Sequence, residues 1–266
     1  MAFVKSRDTQ IGYDDVGDGL PVVLLHAFPL NRAMWHEQIA ALSSRWRFIA
    51  PDHRGFGESS VAPSATMEEM AQDVAALLDE LQIEQAVIGG LSMGGYVSFA
   101  FYRQFPQRVR ALILADTRAE ADTEEARRNR ERMAERALRE GAEAIAEEMI
   151  PKLVAARTLN ERPEIRERLR LMIVRNDPAG IAAAQRGMAV RRDQTDLLAR
   201  IEVPTLIIVG CEDQLTPPEL SEAMHQRIRG SHLVAIEGAG HVSNIERPQD
   251  FNRALESFLQ RIEPKR

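Results

Sequence analysis

The sequence contains a single cysteine, Cys211, among its 266 residues. One cysteine excludes an intrachain disulfide and leaves no cysteine-rich metal cluster. No apolar run approaches the roughly 18 residues of a membrane-spanning helix, and the N-terminal residues lack the apolar core of a secretory signal peptide. We therefore predict a cytoplasmic protein with no membrane partner.

A surplus of basic residues is also absent. The formal net charge is -6 at pH 7, and the sequence pI is about 5.6. Because nucleic acids and anionic membranes bind basic patches, this charge balance argues against both as partners. Nothing in the sequence calls for a metal, a nucleotide or a flavin, so we expect no cofactor.

Apolar strands and amphipathic helices alternate along much of the chain. Segments such as Pro21–Leu25 and Val109–Ala115 are continuous apolar runs, which are typical of strands buried on both faces. Strands that alternate with helices indicate a parallel sheet covered by helices. The 44% hydrophobic content is sufficient for one large core, with or without a small accessory domain.

The alternation stops between residue 116 and about residue 200, where the pattern is helical only and rich in Glu and Arg. A crossover between two sheet strands usually carries a single helix, so this segment is too long for a crossover. Strand character resumes at residues 204–210. We therefore predict a core formed by residues 1–116 and 201–266, with a helical lid at residues 117–200.

The pentapeptide Gly90-Leu91-Ser92-Met93-Gly94 lies between a predicted strand and a predicted helix. A Gly-x-Ser-x-Gly sequence in this context places the serine at the apex of a strained turn with its hydroxyl exposed. Glycine-rich turns between strand and helix also occur in other doubly wound folds. A catalytic role for Ser92 therefore requires partners from elsewhere in the chain.

Two further residues follow predicted strands in the positions that such partners need. His241 lies in a glycine-flanked loop after the last predicted strand, and Asp213 lies three residues after Gly210, which ends the preceding strand. Glu212 is the rival acid, although it is equally explained as a solvated loop charge. The order Ser92, Asp213, His241 is the nucleophile, acid and histidine order of an α/β-hydrolase site.

Attack by a serine on an ester generates an oxyanion that needs preorganised N–H donors. The backbone N–H of Met93 lies at a predicted helix N-terminus and is one candidate. We predict that Phe28, in the loop after the Pro21–Leu25 strand, supplies the second N–H. Pro29 has no N–H to donate, and His26 is better explained as a residue that shapes this loop.

Together these residues resemble the α/β-hydrolase family with an inserted helical lid, over nearly the whole chain. His26-Ala27-Phe28-Pro29 is similar to the His-Gly-x-x oxyanion loop of the family, with Ala27 in the glycine position, and residues 52–59 resemble its Asp-x-Arg-Gly-x-Gly-x-Ser signature. In that signature the arginine, here Arg54, is usually structural. The resemblance implies a mostly parallel eight-stranded sheet flanked by helices, with an all-helical lid inserted after the sixth strand.

Within this family the sequence is most similar to bacterial short-chain carboxylesterases of a thermophilic planctomycete type. The likeness rests on residues 89–97 around the serine, on residues 115–119, and on residues 146–151 in the predicted lid. The 3-oxoadipate enol-lactonases look similar across the same core.

The resemblance implies a serine hydrolase that cleaves small carboxylic esters through an acyl-enzyme. An enol-lactonase, another lactonase, or a cofactor-free perhydrolase would use the same three residues, and a ligand-binding module could retain them without catalysis. Dehalogenases and epoxide hydrolases are disfavoured because they use an aspartate where this chain has Ser92. An anionic lactone would also require a cation that faces the pocket.

We expect the partner to be a small-molecule ester and the protein to be a monomer or a small homo-oligomer. Apolar residues near the predicted catalytic groups are candidates for the substrate pocket, although core packing explains them equally well. They are Phe28, Trp35, Met93, Leu215 and Val242 in the core, with Met149, Ile150 and Leu153 in the lid.

Overall fold

The computed structural model describes residues 2–263 and contains one eight-stranded sheet with strand order β1-β2-β4-β3-β5-β6-β7-β8. The first two pairings, β1 with β2 and β2 with β4, are antiparallel, and the other pairings are parallel. This architecture confirms the predicted fold class. The strands are β1 (Ala2–Ser6), β2 (Thr9–Val16), β3 (Pro21–Leu25), β4 (Arg47–Pro51), β5 (Ala86–Leu91), β6 (Val109–Ala115), β7 (Thr205–Gly210) and β8 (His232–Ile236).

Helices cover the sheet and fill the long segment between β6 and β7. No helix within residues 2–263 is both long enough and apolar enough to cross a membrane. Short 3₁₀ helices occur at Arg32–Trp35, Pro106–Arg108 and Leu198–Arg200. The α-helices are α1 (His36–Leu42), α2 (Met67–Glu80), α3 (Met93–Gln104), α4 (Glu124–Leu153), α5 (Ala156–Glu161), α6 (Pro163–Val174), α7 (Pro178–Ala189), α8 (Pro218–Arg227), α9 (Ser243–Glu246) and α10 (Pro248–Ile262).

The central strands are buried on both faces, as their apolar runs predict. Every residue of β5 and β7 is buried. On the helices, apolar residues with helical spacing face the sheet. In α2 these are Met70, Val74, Leu77 and Leu78, and in α10 they are Phe251, Leu255, Phe258 and Leu259.

Helices α4 to α7 form the insertion after β6, and α4 packs against both α6 and α7. Apolar residues with helical spacing are buried in this insertion. They include Ile145, Met149 and Leu153 in α4, and Ile165, Leu169, Met172 and Ile173 in α6. Helix α4 is interrupted at Gly141, where φ is +83°. This positive φ suits glycine, which lacks the Cβ that disfavours the left-handed region. The domain boundaries at residues 117 and 200 stay predictions, and residues 1 and 264–266 of the predicted core lie outside the described residues.

Side chains cap two helix starts at which the sequence pattern predicts a cap. Thr66 and Glu69 form a reciprocal capping box at α2, and the Asn31 side chain accepts a hydrogen bond from the backbone N–H of Ala33. The spacing of Thr216 and Glu219 also predicts a capping box, but this prediction is wrong. Helix α8 begins at Pro218, so Pro217, which has no side-chain acceptor, occupies the N-cap position, and the Thr216 hydroxyl donates to Asp213.

Candidate active site

Ser92 lies at a sharp turn between β5 and α3. Its φ and ψ are +56° and -112°, a strained conformation for a residue with a side chain. A Cβ on Gly94 would lie 2.1 Å from the carbonyl oxygen of Leu25, and one on Gly90 would lie 2.1 Å from the backbone of Gly94. Only glycine fits at these positions, so strand and helix approach closely enough to present the partly exposed Ser92 at the turn.

His241 and Asp213 meet at the carboxyl end of the sheet. The loops after β7 and β8 bring His241 Nδ1 to 2.8 Å from Asp213 Oδ2, and both residues are buried. No hydrogen bond joins the Ser92 hydroxyl to His241 within residues 2–263. Catalytic hydrogen bonds are often long without substrate and tighten when substrate binds.

Asp213 is held by more donors than His241 alone. Its Oδ1 accepts from the backbone N–H groups of Leu215 at 2.8 Å and Thr216 at 3.0 Å, and the Thr216 hydroxyl donates to Oδ2 at 2.6 Å. These donors fix the carboxylate in the orientation that faces the imidazole. The rival acid, Glu212, is exposed.

The interaction between Asp213 and His241 raises the pKa of His241 and lowers the pKa of Asp213. Burial lowers the pKa of His241, but the charge of Asp213 and its hydrogen bond outweigh burial, so the pKa lies above the usual value. Burial raises the pKa of Asp213, but the charge and hydrogen bond of His241 hold it below its usual value. The pair therefore favours an ionised Asp213 beside a readily protonated imidazole.

A second buried carboxylate, Asp116, lies at the end of β6 and was missed by the sequence reasoning. Its Oδ1 accepts from the backbone N–H of Gly210 at 2.8 Å, and its Oδ2 accepts from the Ser243 hydroxyl. Asp116 therefore links the ends of β6 and β7 to the loop of His241. Burial and the nearby charge of Asp213 raise its pKa to about 8. An aspartate directly after an apolar strand was the available signal.

The histidine loop is also fastened to the end of the helical insertion. The backbone N–H of Val242 donates to the Leu153 carbonyl at 3.0 Å. Buried Glu246 accepts from the N–H groups of Ala155 at 2.9 Å and Gly240 at 2.6 Å. This carboxylate, which the sequence reasoning also missed, connects the α4–α5 junction to the residue before His241.

The two predicted oxyanion donors are buried N–H groups. Phe28 is 5% exposed and Met93 is 0% exposed, and neither backbone N–H has an acceptor among the described residues. Buried backbone N–H groups are nearly always paired, so two free ones in the segments that follow the paired strands β3 and β5 are suited to an incoming oxyanion. Asn176, between α6 and α7, supports this loop by donating to the Pro29 carbonyl at 2.7 Å.

His26 contacts neighbouring backbone, as predicted. Its Nε2 accepts from the N–H of His53 at 2.9 Å, and its Nδ1 lies 3.0 Å from the carbonyl oxygen of Ala27. Burial lowers the pKa of His26 to about 4, so the ring is neutral at pH 7. Arg54 is structural as expected, because its guanidinium makes two 2.7 Å hydrogen bonds to Asp73.

The predicted substrate-binding residues occupy different surroundings. Trp35 packs its ring 6.0 Å from Phe251 of α10, which favours a core role. Leu153 and Val242 are neighbours where α4 reaches the histidine loop. Leu215 is partly exposed. The buried members of the set are Phe28, Trp35, Met93, Met149, Ile150, Leu153 and Val242.

The raised pKa of His241 predicts the pH dependence of hydrolysis. A general base must be neutral, so activity falls as the pH drops through the pKa of the free enzyme. We expect kcat/KM for an uncharged ester to rise with pH and to reach half its plateau above pH 6.5, the usual pKa of histidine. Initial rates in constant-ionic-strength buffers measure this midpoint, and circular dichroism at each pH controls for unfolding. A midpoint below 6.5 would contradict the raised pKa of His241.

Comparison of the whole sequence with known protein families gives one match. The family described as alpha/beta hydrolase fold matches residues 21–248. Within residues 2–263, no group of three or more His, Cys, Asp or Glu side chains is arranged to hold a metal ion.

Relatives of this chain include both esterases and lactonases. A thermophilic esterase from Thermogutta terrifontis, solved with malate bound, is 46% identical, with a TM-score of 0.96 and 99% of each chain covered. The enol-lactonase from Burkholderia xenovorans LB400 is 30% identical, with a TM-score of 0.90, and covers 97% of this chain and 100% of its own. The 3-oxoadipate enol-lactonase 2 of Acinetobacter baylyi is 31% identical over 97% of this chain and 96% of its own.

Proposed function

We propose that this chain, which belongs to the alpha/beta hydrolase fold family, is a carboxylesterase that cleaves small carboxylic esters through an acyl-enzyme. The observation that carries the proposal is the 2.8 Å hydrogen bond between His241 Nδ1 and Asp213 Oδ2. This bond lies at the carboxyl end of the sheet, where Ser92 occupies its strained turn after β5. The same three residue types, in the same order, perform acyl transfer in α/β hydrolases.

Each residue has a role that follows from its contacts. Because Nδ1 of His241 is engaged by Asp213, Nε2 is the nitrogen available to take the proton of Ser92. The serine oxygen attacks the ester carbonyl, and the N–H groups of Phe28 and Met93 receive the oxyanion. His241 then returns its proton to the leaving alcohol and activates a water that hydrolyses the acyl-enzyme. Asp213 orients the imidazole and stabilises its cation.

Sequence identity favours the esterase assignment over the lactonase alternative. The Thermogutta terrifontis esterase shares 46% identity with this chain, whereas the two enol-lactonases share 30% and 31%. A lactonase would use the same Ser92, Asp213 and His241, and so would a perhydrolase. The predicted helical lid at residues 117–200 is part of the proposal. The predicted cytoplasmic location and oligomeric state stay predictions.

A substrate panel tests the proposal. We expect 4-nitrophenyl acetate and butyrate to have higher kcat/KM than the octanoate and palmitate esters and than simple lactones, because the buried end of α4 closes over the histidine loop. The measurement is initial rate against substrate concentration. Lactones preferred by orders of magnitude would identify a lactonase with incidental esterase activity. No turnover of any ester would refute the proposed function.

A further inference from the structure

The loop of residues 26–29 carries two successive backbone N–H groups, and within residues 2–263 only one of them is free. The N–H of Ala27 donates to the thioether sulfur of Met34 at 3.2 Å. The N–H of Phe28, the next residue, has no acceptor among the described residues. Ala27 and Met34 are both 0% exposed, so no solvent competes for the bond to sulfur. The Met34 sulfur therefore occupies the N–H that lies beside the proposed oxyanion donor.

The carbonyl of Ala27 is held as well. It accepts from the backbone N–H of Leu30 at 2.9 Å. Because Nε2 of the neutral His26 ring accepts from the N–H of His53, Nδ1 carries the proton and donates to the Ala27 carbonyl at 3.0 Å. This carbonyl and the Phe28 N–H belong to one planar peptide unit, in which they point in opposite directions. The bonds to the carbonyl therefore also orient the Phe28 N–H.

Met34 restrains the peptide unit that comes before this one. Two peptide units meet at each Cα, and the two torsion angles at that Cα set their relative orientation. At Ala27 the first unit is held by the Met34 sulfur, and the second is held by His26 and Leu30. With both units held, the torsion angles at Ala27 have little freedom, and the Phe28 N–H keeps one direction.

Met34 is itself anchored to the segment that follows His241. Its backbone carbonyl accepts from the Asn244 side chain at 3.0 Å, and its N–H donates to the Asn31 carbonyl at 3.1 Å. The Asn244 amide also donates to Gln38 Oε1 at 3.1 Å, and Gln38 donates back to the Asn244 carbonyl at 3.1 Å. Asn244 and Gln38 are both 0% exposed. A buried network therefore joins the loop of residues 26–29 to the loop of the proposed base through Met34.

We propose that Met34 is a positioning residue for the oxyanion hole, whose sulfur holds the Ala27 N–H so that the Phe28 N–H alone of this loop faces the oxyanion. The proposal rests on the proposed function, because it concerns the same site. Without the sulfur, the Ala27 N–H would be buried with no partner, which is costly. Its peptide unit would then lower its free energy by rotating toward another acceptor, and this rotation would turn the Phe28 N–H away from the oxyanion.

Replacement of Met34 by leucine removes the sulfur with little change in volume. We expect kcat for 4-nitrophenyl butyrate to fall by about 10-fold, because complete loss of one oxyanion donor costs about 10²- to 10³-fold and a misdirected donor costs part of that. KM should stay nearly unchanged, since the oxyanion forms only in the transition state. The matched control is Met70→Leu, because Met70 is also 0% exposed and its sulfur accepts no hydrogen bond within residues 2–263. The control should retain the wild-type kcat.

Inhibition by butyl trifluoromethyl ketone gives a readout that a loss of stability alone would not change. Ser92 Oγ bonds to the ketone carbon, His241 takes the serine proton, and the carbonyl oxygen becomes an oxyanion in the place of the one formed from an ester. The Ki of this ketone should rise in Met34→Leu by about the factor by which kcat falls. The Ki of the corresponding alcohol, which forms no adduct, should not change.

An NMR measurement on wild type alone gives an independent test. Addition of the ketone should move the Phe28 N–H resonance downfield, because a hydrogen bond to an oxyanion is charge-assisted and strong. The Ala27 N–H resonance should stay in place, since this N–H remains bonded to sulfur. A downfield shift of Ala27 without one of Phe28 would overturn the proposal.

The variants separate the remaining outcomes. If Met34→Leu keeps the wild-type kcat and ketone Ki, if it raises kcat, or if Met70→Leu loses as much, the sulfur only fills space and the proposal is refuted. If thermal melts show that Met34→Leu is unfolded, the NMR shifts of wild type decide. Failure of wild type to cleave the ester and to form the ketone adduct would instead refute the proposed function.

Discussion

Replacement of Ser92 by alanine is expected to lower kcat/KM for 4-nitrophenyl butyrate by about 10⁴- to 10⁶-fold, because the serine oxygen forms the covalent bond of the acyl-enzyme. The His241→Ala variant should lose a comparable amount. The double variant should lose little more, since residues that act in one step are strongly non-additive. Steady-state rates of the three variants measure the losses in kcat/KM and their non-additivity, and thermal melts confirm that each variant is folded.

Ser98→Ala is the matched control for this experiment. Ser98 lies on α3, the helix that Ser92 precedes, and its buried hydroxyl donates to the Gly94 carbonyl at 2.8 Å. The substitution removes the same kind of atom six residues from Ser92, so activity should be retained. A Ser92→Ala enzyme as active as Ser98→Ala would show that another residue is the nucleophile.

Replacement of Asp213 by asparagine should lower kcat by about 10⁴-fold, the loss seen when the equivalent acid of a serine protease triad is neutralised. An amide nitrogen facing Nδ1 would favour the wrong imidazole tautomer, and the imidazolium would lose its counter-charge. The backbone donors from Leu215 and Thr216 should keep the asparagine in place, so the fold should survive. The kcat of the variant and its pH profile are the measurements.

Glu212→Gln provides the comparison for Asp213→Asn. Glu212 is the neighbouring acid, it is exposed, and its backbone N–H bonds the Ala239 carbonyl regardless of its side chain. We expect Glu212→Gln to retain full activity. If the losses were reversed, with Glu212→Gln inactive and Asp213→Asn active, the acid would have been assigned to the wrong residue.

Local pattern was sufficient to predict the sheet, its strands and most helix starts. A chain in which apolar strands alternate with helices forms a parallel sheet covered by helices. The carboxyl ends of parallel strands all lie at the same end of the sheet. For this reason Asp213 and His241 could be expected together although 28 residues separate them, and their hydrogen bond agrees with that expectation. The strained conformation at Ser92 likewise follows from glycines on either side of it.

Thr216 shows where local pattern failed. Its spacing from Glu219 is that of a capping box, but the helix begins at Pro218, so Pro217, which has no side-chain acceptor, occupies the N-cap position. The Thr216 hydroxyl donates to Asp213 at 2.6 Å, a charge-assisted hydrogen bond that orients the carboxylate. A cap pattern gives the spacing of two residues but not the residue at which the helix begins.

The sequence by itself determined the fold class, the family and the positions of the candidate catalytic residues, because each depends on periodicity or on short motifs at strand ends. Only the tertiary structure decided which side chains support that site. Asp116 carries only the weak signal of an aspartate directly after an apolar strand, and Glu246 carries none. Their roles depend on burial and on partners distant in the chain, such as Gly210 for Asp116. Burial selects partners because an unpaired buried charge is costly, and that cost exists only once the chain has packed.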